Sequence, residues 1–484
     1  MPNALAYLML ALWPLASLAM FRRLPLEKAL IWTILGGYLL LPPIAAMDLP
    51  LVPPMDKFSI PTLSAALICL FVLRLRLSLW PANRLARLLV LGFFLGAIPT
   101  VLTNRDPILF ETLAGTDPIQ FVTGSLPGLT LRDTLSALIG QALVLLPFLM
   151  ARQFLASEDG LRALLVALVV AGLAYSIPAL IEIRLSPQIN VWVYGFFQQS
   201  FLQAIRNGGY RPVVFLPHGL WLALFVLTTA MAATALFRVS EGAARRRYML
   251  AAGYLVLLLW LCKSLGAFAM GMVLLPLLLF AGPRTQIRVA VCLALVATVY
   301  PMLRNAHLIP LDAIMEQAES VSADRAQSLG FRFENEELLL ERAAEKPWFG
   351  WGLWGRNLTH DPETGQITTV PDGQWIIVFG TFGWLGYICT FGLLALPVLL
   401  TARRMWRHGA DAVSPFVLPL VLTLTATMMD MLLNATLIPF TWLTAGAILG
   451  HLEDSRARSP ARALFGGTQA MTAAAPAKGP RTIL

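Results

Sequence analysis

Charged side chains are scarce in this chain, since Lys, Arg, Asp and Glu together make up 13% of its 484 residues. Soluble domains average about 25% charged residues, so this scarcity excludes an ordinary soluble domain. Hydrophobic residues make up 57% of the chain, and runs of roughly 20 apolar residues, long enough to cross a bilayer core, recur from end to end. The composition predicts an all-α, polytopic integral membrane protein.

Cysteine is also rare and shows neither a paired nor a metal-ligand spacing. The four cysteines all lie within apolar runs, at Cys69, Cys262, Cys292 and Cys389. We interpret them as small lipid-facing or core residues, which indicate little about the redox compartment. The sequence also lacks a heptad array and a long internal repeat.

Thirteen apolar segments are candidate membrane spans. Two neighbouring segments are separated only by Lys263, which is compatible with a tight hairpin or with one broken helix. The predicted spans cover residues 4–20, 28–47, 59–73, 86–103, 133–151, 161–181, 213–236, 248–262, 264–281, 288–303, 375–401, 415–433 and 435–451.

Basic residues are concentrated in alternate gaps between these spans. Arg245, Arg246 and Arg247, for example, follow the seventh span. By the positive-inside rule such gaps are cytoplasmic, which places the N-terminus outside and the C-terminus inside. Basic residues follow the first span and do not precede it, so we expect this span to be retained rather than cleaved as a signal peptide.

The long connections all fall on the opposite, outer side. They cover residues 104–132, 182–212 and 304–374, and loops on a rigid scaffold commonly carry function. The third loop contains a predicted amphipathic helix, which Pro347 ends. The chain thus divides into ten spans (1–303), a long outer loop (304–374), three further spans (375–452) and a tail (453–484) whose composition is typical of disorder.

The stretch KPWFGWGLWGRN, residues 346–357, stands out within the longest outer loop. Its tryptophans could simply anchor the chain at a membrane interface. Aromatic faces can also pack against sugar rings, and the guanidinium groups of Arg332, Arg342 and Arg356 suit phosphate. Together these features predict a ligand that is part sugar and part phosphate.

The order of motifs resembles the O-antigen ligase and O-antigen/exopolysaccharide polymerase superfamily. Arg332 is followed by PWFGWG at 347–352, PDGQW at 371–375 and GWLG at 383–386. RNGGYRPVVFLPHGLWLALF at 206–225 and LCKSLGAFAMG at 261–271 are similar to two further family blocks, although Leu265 stands where an Arg is expected. Ligases usually carry His at the position of Asp372 and polymerases often carry Asp, so the resemblance favours a polymerase.

The resemblance implies transfer of an oligosaccharide from undecaprenyl pyrophosphate to a sugar hydroxyl, at the periplasmic face of a bacterial inner membrane. Cations would stabilise the leaving pyrophosphate and a carboxylate would accept the hydroxyl proton, without a metal or another cofactor. Neighbouring arginines would lower the pKa of that carboxylate and keep it ionised. Membrane lipid, a chain-length regulator and a flippase would be partners, and nucleic acid would not. The predicted catalytic residues are Asp372, Arg332 and Arg211, and the predicted substrate-binding residues are Arg206, His218, Lys263, Arg342, Trp348, Gly350, Gly352 and Trp375. His218 and His360 are further candidate bases.

Structural interpretations exist for several of these residues. Arg211 can snorkel at a helix end, His218 can pack inside a helix, Asp372 can cap one, and Lys263 can mark a turn. Glu182 and Arg184 can form a structural pair. Two other functions stay open, namely a ligase that transfers the glycan to lipid A core or another surface acceptor, and a transporter or flippase that performs no chemistry.

Overall fold

The computed structural model describes residues 1–48, 52–114, 120–206, 208–321 and 323–457, and 71% of these residues are helical. Seven of its helices are long and apolar enough to cross a membrane: Ala4–Arg23, Arg84–Leu102, Leu131–Phe154, Glu158–Leu185, Gly219–Val239, Pro283–Asn305 and Gln374–His408. The prediction of a mostly helical, multi-pass membrane protein is therefore confirmed at this level.

The helices of the first half are α1 (Ala4–Arg23), α2 (Leu26–Leu40), α3 (Ser59–Leu67, continued as a π-helix over Ile68–Val72), α4 (Arg84–Leu95), α5 (Ala97–Leu102), α6 (Leu131–Phe154), α7 (Glu158–Leu185), α8 (Ile189–Tyr194), α9 (Phe201–Ala204) and α10 (Gly219–Val239). Those of the second half are α11 (Gly242–Leu261), α12 (Leu265–Phe280), α13 (Pro283–Asn305), α14 (Leu311–Val321), α15 (Ala323–Ala344), α16 (Gln374–His408), α17 (Val417–Asp430) and α18 (Pro439–Ala457), with a short 3-10 turn at Ala410–Ala412.

A helix lies at each of the thirteen predicted spans, but several boundaries differ. Helix α2 ends at Leu40 rather than at 47 because Pro42 and Pro43 follow it. Helix α10 begins at Gly219 rather than at 213. Lys263 separates α11 from α12 with a left-handed backbone, φ 51°, and a Cβ atom added at Gly271 would lie 2.9 Å from Leu259 Cδ2. The two helices therefore pack side by side, as in the tight hairpin.

The interior of the long loop and the start of the tail differ from the prediction, whereas the long loop itself has nearly the predicted bounds. The expected amphipathic helix consists of two helices, α14 and α15. Helix α18 continues to Ala457, so the first residues of the predicted tail are helical. The rest of that tail lies outside the described residues.

Two short antiparallel hairpins depart from the all-α prediction. In the first outer loop, β1 (Ile108–Ala114) pairs with β2 (Gln120–Leu126), with Ile108 opposite Leu126. In the second, β3 (Ile205–Arg206) pairs with β4 (Gly209–Tyr210). Such short segments within polar loops give too little alternation of apolar and polar residues to be recognised from the sequence.

Close backbone contact joins α18 to α6. A Cβ atom added at Gly446 would lie 2.1 Å from the carbonyl oxygen of Phe148, and one at Gly450 would lie 2.0 Å from that of Arg152. Small residues four apart allow two membrane helices to approach this closely. A buried ion pair between Arg152 and Glu453, 3.0 Å long, joins the same helices beyond the glycines.

A break in α16 receives the aromatic loop of residues 346–357. Gly383 has φ 64° and ψ −163°, which interrupts the helical hydrogen bonds. The loop replaces them, because Trp351 N donates to Gly380 O at 2.8 Å and Trp384 N donates to Pro347 O at 2.7 Å. Two of the motifs that carry the family resemblance, PWFGWG and GWLG, therefore contact each other directly.

Candidate functional site

The irregular segment 211–218, which contains a turn at 214–215, carries two of the predicted site residues and is held by a buried carboxylate. Glu182, at the end of α7, accepts hydrogen bonds from the backbone N–H groups of Ile189, Val213 and Val214, at 3.1, 2.7 and 2.8 Å. The expected pair with Arg184 is therefore wrong, since both carboxylate oxygens are used by the backbone. Glu182 fixes the path of the chain towards α10.

Three further side chains hold the same segment. Tyr175 accepts from Phe215 N at 3.0 Å, and the buried ammonium group of Lys57 donates to Phe215 O at 2.7 Å. Gln198 donates to two carbonyl oxygens, those of Val214 and Leu216. These three residues were not predicted from the sequence. For Lys57, a signal was available, namely a charged side chain immediately before an apolar helix.

Arg211 connects this segment to the start of α12. Its side chain is buried and its Nη2 atom donates to the carbonyl oxygen of Lys263 at 3.1 Å. Lys263 in turn donates from Nζ to Arg206 O at 3.0 Å. Two of the three sequence blocks thus meet. Arg211 lies eight residues before α10, which begins at Gly219, so it does not snorkel at the end of that helix. Lys263 both marks a turn and contacts the site.

His218 lies among three arginines as the N-cap of α10. Burial, and to a smaller extent the charges of Arg211, Arg332 and Arg206, lower the pKa of His218 to about 3. The neutral ring accepts from Leu220 N through Nδ1 at 3.0 Å. Its proton therefore lies on Nε2, which is 3.2 Å from Gln203 Oε1. In this tautomer His218 is a hydrogen-bond donor and not a base.

Arg332 and Asp372 form an ion pair at the edge of this cluster. Arg332 Nε lies 3.4 Å from Asp372 Oδ2, and the two side chains are 21% and 34% exposed. Arg332 Nη1 also donates to Leu433 O and to Asn434 Oδ1, at 2.9 and 3.2 Å. Both groups thus have surface available to a ligand.

Two expectations about Asp372 need correction. We expected neighbouring arginines to lower its pKa, but burial raises the pKa by more than Arg332 lowers it. We also considered a helix cap, whereas the N-cap residue of α16 is Gly373. A carboxylate with a raised pKa is a stronger base, which favours proton transfer.

Other predicted residues have structural partners away from this cluster. Arg342 stacks on Trp351, 3.3 Å from the ring centroid, and pairs with Glu345. Arg356 is 2% exposed and donates to two backbone carbonyl oxygens, those of Pro127 and Asp106. Both guanidinium groups thus bind protein acceptors, although the buried Nε atom of each has no partner among the described residues, and neither belongs to the arginine cluster around His218.

The aromatic and glycine candidates differ in whether a ligand can reach them. Trp375 is fully buried and packs edge-on against Tyr300, so the prediction that it binds substrate is wrong. Gly350 and Gly352 have positive φ values of 70° and 84° and shape the docked loop. Trp348 is 67% exposed and is the one of these four that a ligand can reach. His360 packs on Phe110 in the outer loop.

No protein-family model and no curated protein matches this chain. Function therefore has to be inferred from the chemistry of the side chains that the fold brings together.

A mainly apolar groove of about 460 Å³ lies between several helices. It is bounded by the start of α3, the middle of α6, and the first turns of α16 and α18. Gln374, two positions after Asp372, lines it, together with Phe93, Val144, Phe382 and Trp442. Its volume and lining suit a hydrocarbon chain.

Proposed function

We propose that this protein belongs to the O-antigen ligase and polymerase superfamily and polymerises undecaprenyl-pyrophosphate-linked oligosaccharides at the periplasmic face of a bacterial inner membrane. One observation carries the proposal. Arg206 and Arg211, from one segment, and Arg332, from a distant one, all lower the pKa of His218, and Arg332 also pairs with a carboxylate. A cluster of cations with one adjacent base suits glycosyl transfer from a diphosphate.

The reaction breaks the bond between the anomeric carbon and a pyrophosphate oxygen, which leaves with the electron pair. The acceptor hydroxyl oxygen forms the new bond to that carbon, and Asp372 takes the hydroxyl proton. Arg332 and Arg211 stabilise the charge on the departing pyrophosphate, and each such contact typically contributes ~2.7–4 kcal/mol. A positioned base contributes about 10²–10⁴ in rate.

The lipid carrier accounts for the remaining features of the site. The apolar groove would take the first part of the polyprenyl chain, and Trp348 would contact a sugar ring. All thirteen predicted spans would cross the membrane with the arginine-rich connections in the cytosol. The site, reached from the other side, would then face the periplasm.

Deleting the gene and separating the cell-surface glycans on a gel tests this function. Loss of long chains, with single capped units retained, is the expected result for a polymerase. Loss of all capped units would show a ligase instead. An unchanged glycan pattern together with altered solute uptake would show a transporter and would overturn the proposal.

A further inference from the structure

The guanidinium group of Arg332 is held through two of its nitrogen atoms. Nε faces Asp372, and Nη1 is shared between Leu433 O and Asn434 Oδ1. Within the described parts of the chain, Nη2 makes no hydrogen bond. A fixed guanidinium group with one free terminal nitrogen can donate from it to a phosphate oxygen.

Asn434 is itself held by a second carboxylate, in the connection between α17 and α18. Its Nδ2 donates to Asp430 Oδ1 at 3.0 Å. The other oxygen of Asp430 accepts from Thr436 Oγ1 at 2.7 Å. Asp430 is 9% exposed, so these two donors replace water around it.

The chemistry of Asp430 determines which way the Asn434 amide points. An ionised carboxylate only accepts hydrogen bonds, and a guanidinium group only donates them. Of the two orientations of the amide, one alone satisfies both neighbours: nitrogen towards Asp430 and oxygen towards Arg332. Asp430 therefore acts on Arg332 through Asn434, as well as by its charge.

We propose that Asn434 and Asp430 are positioning residues, which hold the Arg332 guanidinium group so that its Nη2 atom faces the diphosphate of the substrate. This inference rests on the function proposed above, since it assumes that Arg332 binds a diphosphate. Neither residue touches the ligand. Both act by keeping one rotamer of Arg332 populated before the ligand arrives.

Binding of inorganic pyrophosphate to the purified full-length chain in lipid nanodiscs tests the proposal. We expect Asn434→Ala to weaken binding about tenfold, which corresponds to ~1.4 kcal/mol, and Asp430→Asn to weaken it several-fold. Asn434→Ala combined with Arg332→Ala should bind no more weakly than Arg332→Ala alone. The exposed residue Asn305, at the end of α13, offers a matched control, and Asn305→Ala should leave binding unchanged.

Asn434→Asp supplies a readout that a purely structural role would not change, and it keeps the test valid if Asn434→Ala fails to fold. The new carboxylate still faces Arg332 but can bridge to Asp430 only through a shared proton. Its affinity for pyrophosphate, relative to wild type at the same pH, should therefore recover as the pH falls. Recovery is not expected for Asn434→Ala.

The outcomes separate this inference from the proposed function. If wild type and Asn434→Ala bind pyrophosphate equally well, the positioning role is wrong and the proposed function stands. The positioning role is also wrong if the effects of Asn434→Ala and Arg332→Ala simply add. If wild type binds no pyrophosphate, the diphosphate site fails and the positioning role fails with it.

Discussion

Arg332 Nε lies 3.4 Å from Asp372 Oδ2, across the boundary between α15 and the loop that leads into α16. Two influences act in opposite directions on the pKa of the Asp372 carboxyl group. Burial raises the pKa of Asp372 and the guanidinium group lowers it, and burial has the larger effect. The pair therefore sets the pH range in which the proposed base works.

Changing Arg332 should shift that pH range. Arg332→Gln removes the cation, so the pKa of Asp372 rises further. The base works when deprotonated, hence activity is lost as the pH falls through this pKa, and the acidic limb should move to higher pH. Arg332→Lys should keep the limb nearer to wild type, while Asp372→Asn should lower the rate about 10²–10⁴-fold. Chain extension measured in membranes across pH checks this, and an unmoved limb in Arg332→Gln would exclude the pairing.

Gly219→Ala should disturb the site although no charged residue is replaced. A Cβ atom at Gly219 would lie 2.3 Å from Cδ of Arg211 and 3.1 Å from the backbone oxygen of Pro212. Arg211 would have to leave its place, and we expect at least a tenfold loss of pyrophosphate affinity. Gly253→Ala is the control, because nothing lies within 4 Å of its added Cβ atom. Equal affinities in both variants would show that Arg211 does not bind the anion.

The aromatic loop should detach when the break in α16 is altered. Gly383→Ala faces a φ of 64° and a contact of 2.3 Å with the backbone of Trp348, and such strain costs roughly 1–3 kcal/mol before the clash is counted. Limited proteolysis should then cut residues 345–374 much faster. Gly355→Ala has a similar φ of 75° but its nearest contact is 3.9 Å away, so it should change cleavage little. Equally fast cleavage of both variants would show that the positive φ, and not the contact with Trp348, controls how firmly the loop is held.

Helix α18 should separate from α6 when either packing glycine gains a side chain. Gly446→Ala and Gly450→Ala both place Cβ against a backbone carbonyl group, which cannot move like a side chain. We expect each variant to lower the melting temperature and the amount of folded protein in the membrane. Gly266→Ala, with open space around the added Cβ atom, should behave like wild type. A normal melting temperature in Gly446→Ala would contradict the close packing.

Lys57 should make stability depend on pH. Burial, partly opposed by the charge of Asp56, lowers the pKa of Lys57 to about 7. Between the ordinary lysine pKa and this value, the unfolded chain binds a proton that the folded chain does not, so stability falls by up to ~1.4 kcal/mol per pH unit as the pH decreases. The dependence should disappear in Lys57→Met and persist in Lys28→Met, a change at an exposed lysine. Thermal unfolding at pH 7 and pH 9 measures it.

Some features of the site are accessible from the sequence because they are local. The polar positions at the ends of apolar runs, such as Arg211, His218 and Asp372, stand out because a charged or polar group is costly near a membrane. Positive-φ glycines at 350 and 383 belong to recognisable spacings. Trp375 and Arg356 have the same composition signals, yet the structure buries both of them. Composition cannot distinguish a side chain that faces a ligand from one that faces its own backbone.

Hydropathy alone determined that the chain is a bundle of membrane-length helices, because each apolar run must satisfy its backbone hydrogen bonds internally wherever it is placed. Only the tertiary structure decided that Arg206, Arg211 and Arg332 surround His218, and that Asn434 and Asp430 hold Arg332. These contacts join segments that are far apart in the chain. Their formation depends on how the helices pack and on where the backbone of each loop finds its hydrogen bonds, which no short window of residues contains.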